Sequence, residues 1–160
     1  MIPESVHAVL LAHGLRALEF EPGSTPTAES AARRIGVEVG QIAKSLLFRD
    51  RSGRHHLVVC AGDVRVSSSK LKRLIGSSAA MASGDEAVRI TGFAPGAVCP
   101  FGVVDVPIYV DDSLRRFATI YPAAGTDASG VPLTYEQLLS ITGARACDVT
   151  SPPATGSAEG

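Results

Sequence analysis

The chain has 160 residues, of which 45% are apolar and 19% are charged. This length and composition are typical of one soluble globular domain with its own core. The net charge of −1 and the aromatic content of 5%, with no tryptophan, argue against a protein that coats long stretches of nucleic acid, because such proteins carry a broad basic face or a platform for stacked bases. They still allow a protein that grips only the end of an RNA.

Targeting and redox signals are also missing from the sequence. No run of 18 or more apolar residues occurs, and residues 1–7 lack the basic and apolar regions of a signal peptide. Cys60, Cys99 and Cys147 are odd in number and far apart, which favours neither a disulfide framework nor a paired metal motif. We therefore expect a reduced, cytosolic protein that does not contact a membrane.

Hydrophobic spacing in the first half of the chain predicts helices and strands in irregular alternation. Thr25 is expected to cap a helix whose first residue is Pro26 and whose C-terminal stop is Gly36. In chain order we predict a helix over 3–13, a strand over 15–20, this second helix, a helical turn over 41–44, strands over 45–49 and 56–61, and an extended piece over 64–66.

The second half of the chain continues in the same way. We predict a helix over 67–75, a strand over 79–82, a helix over 84–90 capped by Ser83, a loop over 91–102, strands over 106–110 and 118–121, a turn over 111–116, an extended piece over 131–134, a helix over 134–141 and a strand over 147–149. Because several strand pairs look like hairpins, a mixed α+β sheet in a single domain over 1–150 is favoured over a doubly wound parallel sheet. The Pro, Ser, Gly and Ala residues of 151–160 are typical of a disordered tail.

Two segments are candidates for a functional site. Lys44 precedes a buried strand and is followed by Ser45, so its ammonium group either binds a phosphate or carboxylate at a pocket mouth or extends along the surface into solvent. The loop over 91–102 contains Gly96, Ala97, Val98, Cys99 and Pro100. This G-x-x-x-P spacing either presents main-chain N–H groups to a ligand or forms a structural turn between a helix and a strand.

Other reactive residues give weaker patterns. His55 and His56 are neighbours on a predicted strand, so their side chains point to opposite faces. Asp111 and Asp112 suit a turn better than a metal, and no histidine or carboxylate cluster has metal spacing, so nothing in the sequence calls for a metal or another cofactor. Cys99 is the one cysteine inside the candidate loop, which leaves a Cys99-dependent enzyme as an open alternative.

The segments 29–37, 41–48, 62–63, 70–71, 91–92 and 96–100 occur in one order that resembles the YbaK/EbsC family of aminoacyl-tRNA deacylases. This family is related to the editing domain inserted in bacterial prolyl-tRNA synthetases, and the likeness covers about residues 25 to 150. It implies a mixed, partly barrel-like sheet flanked by helices. It also implies hydrolysis of the ester that joins a wrong amino acid to the 3′-terminal adenosine of a tRNA.

The resemblance also implies roles for particular residues. Lys44 would hold the terminal nucleotide, and the loop from Gly96 to Pro100 would position the aminoacyl carbonyl while water or a group of the substrate attacks. Ser45 would lie beside the substrate, and Phe20 and Thr27 would form pocket walls. The partners implied are the tRNA acceptor end and, in addition, an aminoacyl-tRNA synthetase.

One position departs from the family pattern. Some members have a serine near Ala123 that contacts the substrate, so the edited amino acid cannot be transferred from those members. The sequence also leaves open the tRNA and the oligomeric state. Because no nucleophile–base pair is apparent, a non-catalytic module that binds an amino acid or an aminoacyl-tRNA end is the alternative to a deacylase.

Overall fold

The computed structural model describes residues 1–153. Five helices are α1 (Glu4–Ala12), α2 (Ala28–Ile35), α3 (Ser68–Ile75), α4 (Gly84–Thr91) and α5 (Tyr135–Thr142). The strands are β1 (Leu18–Glu19), β2 (Ile42–Asp50), β3 (His55–Ala61), β4 (Arg65–Val66), β5 (Ala79–Met81), β6 (Ile108–Asp111), β7 (Tyr121–Pro122), β8 (Ser129–Gly130), β9 (Arg145–Cys147) and β10 (Thr150–Ser151).

A six-stranded mixed sheet organises these elements. Its main path is β5-β2-β3-β6-β9, and β7 pairs with β2 beside β5. The β2–β3 hairpin and the β2–β5 pair are antiparallel, whereas β3–β6, β6–β9 and β2–β7 are parallel. Six of the seven residues of β3 are buried, as its apolar sequence predicts for a strand covered on both faces. The predicted mixed α+β fold is confirmed.

The start of α2 differs from the prediction. The N-cap is Thr27, whose hydroxyl accepts a hydrogen bond from the Ser30 N–H at 3.1 Å, while the Ser30 hydroxyl accepts from the Thr27 N–H at 3.0 Å. This reciprocal capping box stabilises the later start. The predicted cap, Thr25, instead accepts a hydrogen bond from the Ser129 N–H at 3.1 Å and is buried.

The segment before the central hairpin also differs from the prediction. A 3-10 turn covers Val39–Gln41, and β2 begins at Ile42. Lys44 therefore lies within a strand, opposite Cys60 of β3, rather than at the end of a helical turn. Cross-strand pairing with the long apolar strand β3 outweighs the helical spacing that residues 41–44 show in isolation.

The C-terminal segment of the described chain pairs with a strand near its middle. Ser151, the first residue of the predicted tail, belongs to β10, which pairs with β4. The rest of that prediction, from residue 154 onward, lies outside the described residues. Among the helices of residues 1–153, none is both long and apolar enough to cross a membrane.

Candidate functional site

The edge of β2 that faces away from β3 has a gap in its pairing. Ile42 and Ala43 pair with β7, and residues 48–50 pair with β5. Within residues 1–153, Lys44, Ser45 and Leu46 have no strand partner on that edge. The interior of the sheet is therefore open to a ligand at this point.

The alternation of peptide groups shows which residue faces the gap. The Leu47 carbonyl accepts a hydrogen bond from the Ala82 N–H at 2.9 Å, on the β5 side. The Asp50 N–H donates to the Arg54 carbonyl at 2.8 Å, on the β3 side. Because successive peptide groups of a strand point to opposite edges, the main-chain N–H and C=O of Ser45 point into the gap. Sheet edges of this kind are ready to pair with a ligand.

A cavity of about 220 Å³ opens at this gap. Its walls come from the segment before α2, the first turns of α2, the open part of β2, the G-x-x-x-P loop, β7 and β8. They comprise Thr25, Pro26, Thr27, Ala28, Ala31, Ile42, Ala43, Lys44, Ser45, Leu46, Gly96, Val98, Tyr121, Ala123 and Ser129. We call this space the Lys44 cavity. Most of these residues are small, and Lys44 is the one charged side chain among them.

Lys44 has a fixed position in this cavity. Its side-chain nitrogen donates a hydrogen bond to the main-chain carbonyl oxygen of Val64 at 2.7 Å, and its side chain is half-buried. An ammonium group has three N–H donors, so donors remain for an anionic or carbonyl oxygen in the cavity. The lysine is thus held at a cavity wall and does not extend freely into solvent.

Ser45 follows Lys44 in β2, so its side chain points to the other face of the strand, where it carries an unusual polar group. Its side-chain oxygen is buried and has no hydrogen-bond partner within the described part of the chain. A buried hydroxyl without a partner is destabilising by about 1–3 kcal/mol, and such groups call for a specific explanation. The Ser45 side-chain oxygen thus lies behind the cavity surface, and the main-chain groups of Ser45 are the ones that face the gap.

Gly96 brings the loop against the segment before α2. Its φ is +86°, and a Cβ added there would lie 3.1 Å from the carbonyl oxygen of Pro26. Both the backbone conformation and the close approach favour glycine. The first residue of the G-x-x-x-P spacing therefore forms part of the cavity wall beside Pro26.

The structure brings six of the ten predicted site residues together. Lys44, Ser45, Thr27, Gly96, Val98 and Ala123 line the Lys44 cavity. The others lie elsewhere: Ala97, Cys99 and Pro100 are buried behind the loop surface. Phe20 is half-buried beneath the Arg34 guanidinium, 4.4 Å from its ring centre.

Nine of the fifteen residues that line the cavity were not predicted as site residues, and three of these nine carry a hydroxyl group. They are Thr25, which is distant in sequence, and Tyr121 and Ser129. They meet because β7 pairs with β2 and the Ser129 N–H donates to the Thr25 hydroxyl at 3.1 Å. None belongs to a local motif. The one local signal was the proline after Tyr121, since Pro122 marks a strand that stays short.

Cys99 is not a reactive nucleophile in this environment. Its thiol is fully buried, its sulfur lies 3.7 Å from the Phe101 carbonyl oxygen, and burial raises its pKa to about 12. Because the thiolate is the nucleophilic form, a thiol with this pKa stays protonated at neutral pH. Across residues 1–153, His, Cys, Asp and Glu side chains form no group of three or more that could hold a metal ion.

A buried carboxylate supports the other side of the loop. The Glu86 carboxylate of α4 is 2.6 Å from His55 Nε2 and 3.4 Å from an Arg49 nitrogen, and it accepts a hydrogen bond from the Ser83 N–H at 3.3 Å. The hydrogen bond with His55 holds the pKa of Glu86 below its usual value. These contacts fix α4 against the β2–β3 hairpin. The first residue of α4, Gly84, in turn approaches Pro95 of the loop so closely that an added Cβ would lie 3.0 Å from the proline ring.

Comparison with known proteins identifies the relatives of this arrangement. The chain is 43% identical over 121 residues to the uncharacterized protein YwhH of Bacillus subtilis, covering 75% of this chain and 76% of that protein. It is 34% identical over 118 residues to the prolyl-tRNA editing protein ProX of Acetoanaerobium sticklandii, covering 68% and 71%.

A solved structure described as a candidate trans-editing enzyme for prolyl tRNA synthetase superposes with a TM-score of 0.84 at 34% identity, covering 95% of this chain and 100% of the other. The model of the aminoacyl-tRNA editing domain matches residues 22–141. This range contains the whole Lys44 cavity and the loop that closes it, and the chain belongs to the aminoacyl-tRNA editing domain family.

Proposed function

We propose that the chain is a deacylase that hydrolyses the ester of a mischarged aminoacyl-tRNA, with the aminoacyl group held in the Lys44 cavity. The observation that carries the proposal is the meeting of Lys44 and Gly96 at the gap in β2. A cationic donor and main-chain groups there surround one small space. Family membership supports tRNA deacylation as the general class of activity.

The proposed reaction needs no covalent intermediate with the protein. Water attacks the ester carbonyl carbon, the carbonyl oxygen gains negative charge, and the bond to the ribose oxygen then breaks. The products are a free amino acid and a tRNA with its terminal hydroxyl restored. Main-chain N–H groups directed at the developing oxyanion stabilise such a transition state, typically by about 2.7–4 kcal/mol for one donor.

Ser45 and Lys44 have separate roles in this mechanism. The Ser45 N–H points into the gap and is suited to the carbonyl oxygen of the substrate. The remaining N–H donors of Lys44 are suited to an oxygen of the terminal nucleotide, so that the ester lies between the two residues. Because an aminoacyl ester is already activated, this orientation supplies much of the rate acceleration.

The proton acceptor for the attacking water is proposed to come from the substrate. The residues that line the Lys44 cavity include no histidine, aspartate or glutamate, which are the usual general bases. The amino group of the esterified amino acid and the free hydroxyl of the ribose lie beside the ester and are the remaining candidates. The mechanism is therefore substrate-assisted.

The partners follow from the same proposal. The acceptor end of a tRNA is the macromolecular substrate, and the solved relative is described as a trans-editing enzyme for prolyl tRNA synthetase. We extend this to the present chain as a proposal: a synthetase would supply the mischarged tRNA. A cytosolic location is consistent with this role.

The same absence of an acid–base pair favours a second candidate, a module that binds an aminoacyl-tRNA end without hydrolysing it. Deacylation of tRNAs that carry Ala, Cys, Ser, Pro or Thr separates the two. We expect the wild-type protein and Lys72→Ala, a control at an exposed lysine of α3, to remove at least one of these esters, and Lys44→Ala to lose that activity while keeping its melting temperature. Binding without ester loss above the buffer rate would support the module instead.

A further inference from the structure

A second cavity of about 220 Å³ shares a wall with the Lys44 cavity. The shared wall consists of Ser45, Leu46, Gly96 and Val98. Beyond this wall the second cavity is bounded by β5, the start of α4 and Pro95. The two spaces therefore meet at the gap in β2, on either side of the position where the ester is proposed to lie.

The two cavities differ in chemistry. Lys44 and several hydroxyl groups face the first, whereas no residue lining the second carries a charge. Apolar groups of Leu46, Met81, Pro95 and Val98 form much of its surface. Its volume is below the roughly 300–1,000 Å³ of an ordinary ligand pocket, so it suits a fragment such as a single uncharged ring system.

We propose that this second cavity binds the nucleobase of the nucleotide that carries the ester. The inference rests on the proposed function, because that substrate has two parts joined at the ester: a small amino acid and a nucleoside. With the amino acid in the Lys44 cavity and the ester at the shared wall, the nucleoside must leave past that wall. The adjoining uncharged cavity is the nearest enclosed surface on which its base can rest.

Met81 is the residue best suited to contact the base. It lies at the end of β5 and is 60% exposed as a residue, and it lines the second cavity, so its flexible thioether lies at the cavity mouth. Thioethers pack favourably against aromatic rings, and apolar surfaces stack with any base, because every base has a π-face. The base would cover an apolar side chain that otherwise faces solvent.

The chain offers a direct readout of this contact. It contains two methionines, Met1 and Met81, and Met1 is fully exposed. In protein labelled with carbon-13 at the methionine methyl groups, titration with adenosine 5′-monophosphate should shift the Met81 signal saturably through the ring current of the base. Met1 should stay unchanged, and ribose 5-phosphate, which lacks a base, should shift neither signal. An unmoved Met81 signal, or an equal shift with ribose 5-phosphate, would overturn the proposal.

Kinetics supply a second test. Met81→Asp places a carboxylate at the cavity mouth, and we expect KM for a mischarged tRNA to rise about tenfold, in keeping with the weight of one stacked base, with kcat little changed. The matched control is Val104→Asp at an exposed residue outside both cavities, which should behave as wild type. Equal KM values for the two variants would overturn the base site.

The two experiments separate this inference from the proposed function. The titration contains no ester, so it reports the base site whether or not the protein hydrolyses anything. A shifted Met81 signal without any deacylation would support the base site and contradict the proposed deacylase activity. Deacylation with no Met81 shift, and with an unchanged KM in Met81→Asp, would support the deacylase and overturn the base site.

Discussion

The side-chain nitrogen of Lys44 lies 2.7 Å from the main-chain carbonyl oxygen of Val64. This hydrogen bond crosses from β2 to the segment before β4 and holds the ammonium group at one wall of the cavity. The position of the charge, and not its presence alone, is therefore set by the fold.

The first prediction concerns Lys44→Arg, which keeps the charge but changes its shape. We expect kcat/KM for deacylation to fall by at least about tenfold, because the planar guanidinium cannot replace a compact ammonium held by one carbonyl. The measurement is steady-state deacylation, with Lys72→Arg as the control. Wild-type activity in Lys44→Arg would mean that charge alone is sufficient.

The second prediction separates backbone strain from close approach in the loop. Gly92 and Gly96 have nearly the same φ, +85° and +86°, but only a Cβ at Gly96 would meet a neighbour within 4 Å. We expect Gly92→Ala and Gly96→Ala to lower the free energy of unfolding by about 1 kcal/mol or more, since φ is positive at both. Only Gly96→Ala should also lose deacylation, because its Cβ pushes the loop away from Pro26. Chemical denaturation and kinetics on the same samples give the comparison, and equal activities would contradict it.

The third prediction addresses the cysteine inside the loop. Because the Cys99 thiol is fully buried and its pKa is raised to about 12 by that burial, it should contribute no nucleophile at neutral pH. We expect Cys99→Ser to deacylate as wild type does and the folded protein to resist alkylation at this position. Loss of activity with an unchanged melting temperature would restore the Cys99-dependent enzyme as an explanation.

Much of the fold could be predicted from the sequence, because the patterns that mark helix ends and buried strands are local. Ser83 caps α4 as predicted, and glycines end α2, α3 and α4 in the left-handed conformation. The apolar run of β3 indicated a strand buried on both faces, and β3 lies within the sheet between β2 and β6. Each of these features depends on residues within one turn or one strand.

Only part of the candidate site could be predicted from the sequence, because the residues that line the cavity depend on which strands pair. Pro122 indicates that β7 is short, but no local pattern shows that β7 pairs with β2 at Ala43 or that β5 begins to pair at Phe48. The interruption between these two pairings opens the cavity. Tyr121 and Ser129 enter the site through this pairing. Thr25 was misread as a cap because Thr27, two residues later, offers the same chemistry and also has Ser30 as a reciprocal partner.

The fourth prediction concerns stability in acid. The hydrogen bond with His55 lowers the pKa of Glu86 from its usual value of 4.5, so the unfolded chain binds a proton at a higher pH than the folded chain does. The stabilisation is therefore complete above about pH 4.5 and is lost as the pH falls through the folded pKa.

Thermal unfolding between pH 7 and pH 3 measures this contribution. Glu86→Gln should be less stable than wild type at pH 7, and the difference should shrink as the pH is lowered. The neighbouring exposed Asp85→Asn serves as the control and should keep the wild-type slope. Some acid sensitivity should remain in Glu86→Gln, because the pKa of Asp50 is also lowered, chiefly by its hydrogen bond with His56. A constant difference between Glu86→Gln and wild type at all pH values would contradict the assignment.

The fifth prediction concerns the size of the amino acid that the Lys44 cavity accepts. Ala123 lines this cavity and is half-buried, so a larger side chain there should reduce the space without disturbing the core. One methylene in an apolar pocket is worth about 1–3 kcal/mol of discrimination. In Ala123→Val we therefore expect kcat/KM for the larger esters of the Ala, Cys, Ser, Pro and Thr panel to fall at least about tenfold more than kcat/KM for the smallest. Ala146→Val, at an exposed alanine of β9, is the matched control and should lower none of them. If Ala123→Val lowered all five esters by the same factor, the cavity would not be the site that measures the amino acid, and selection would have to occur on the nucleotide side of the ester.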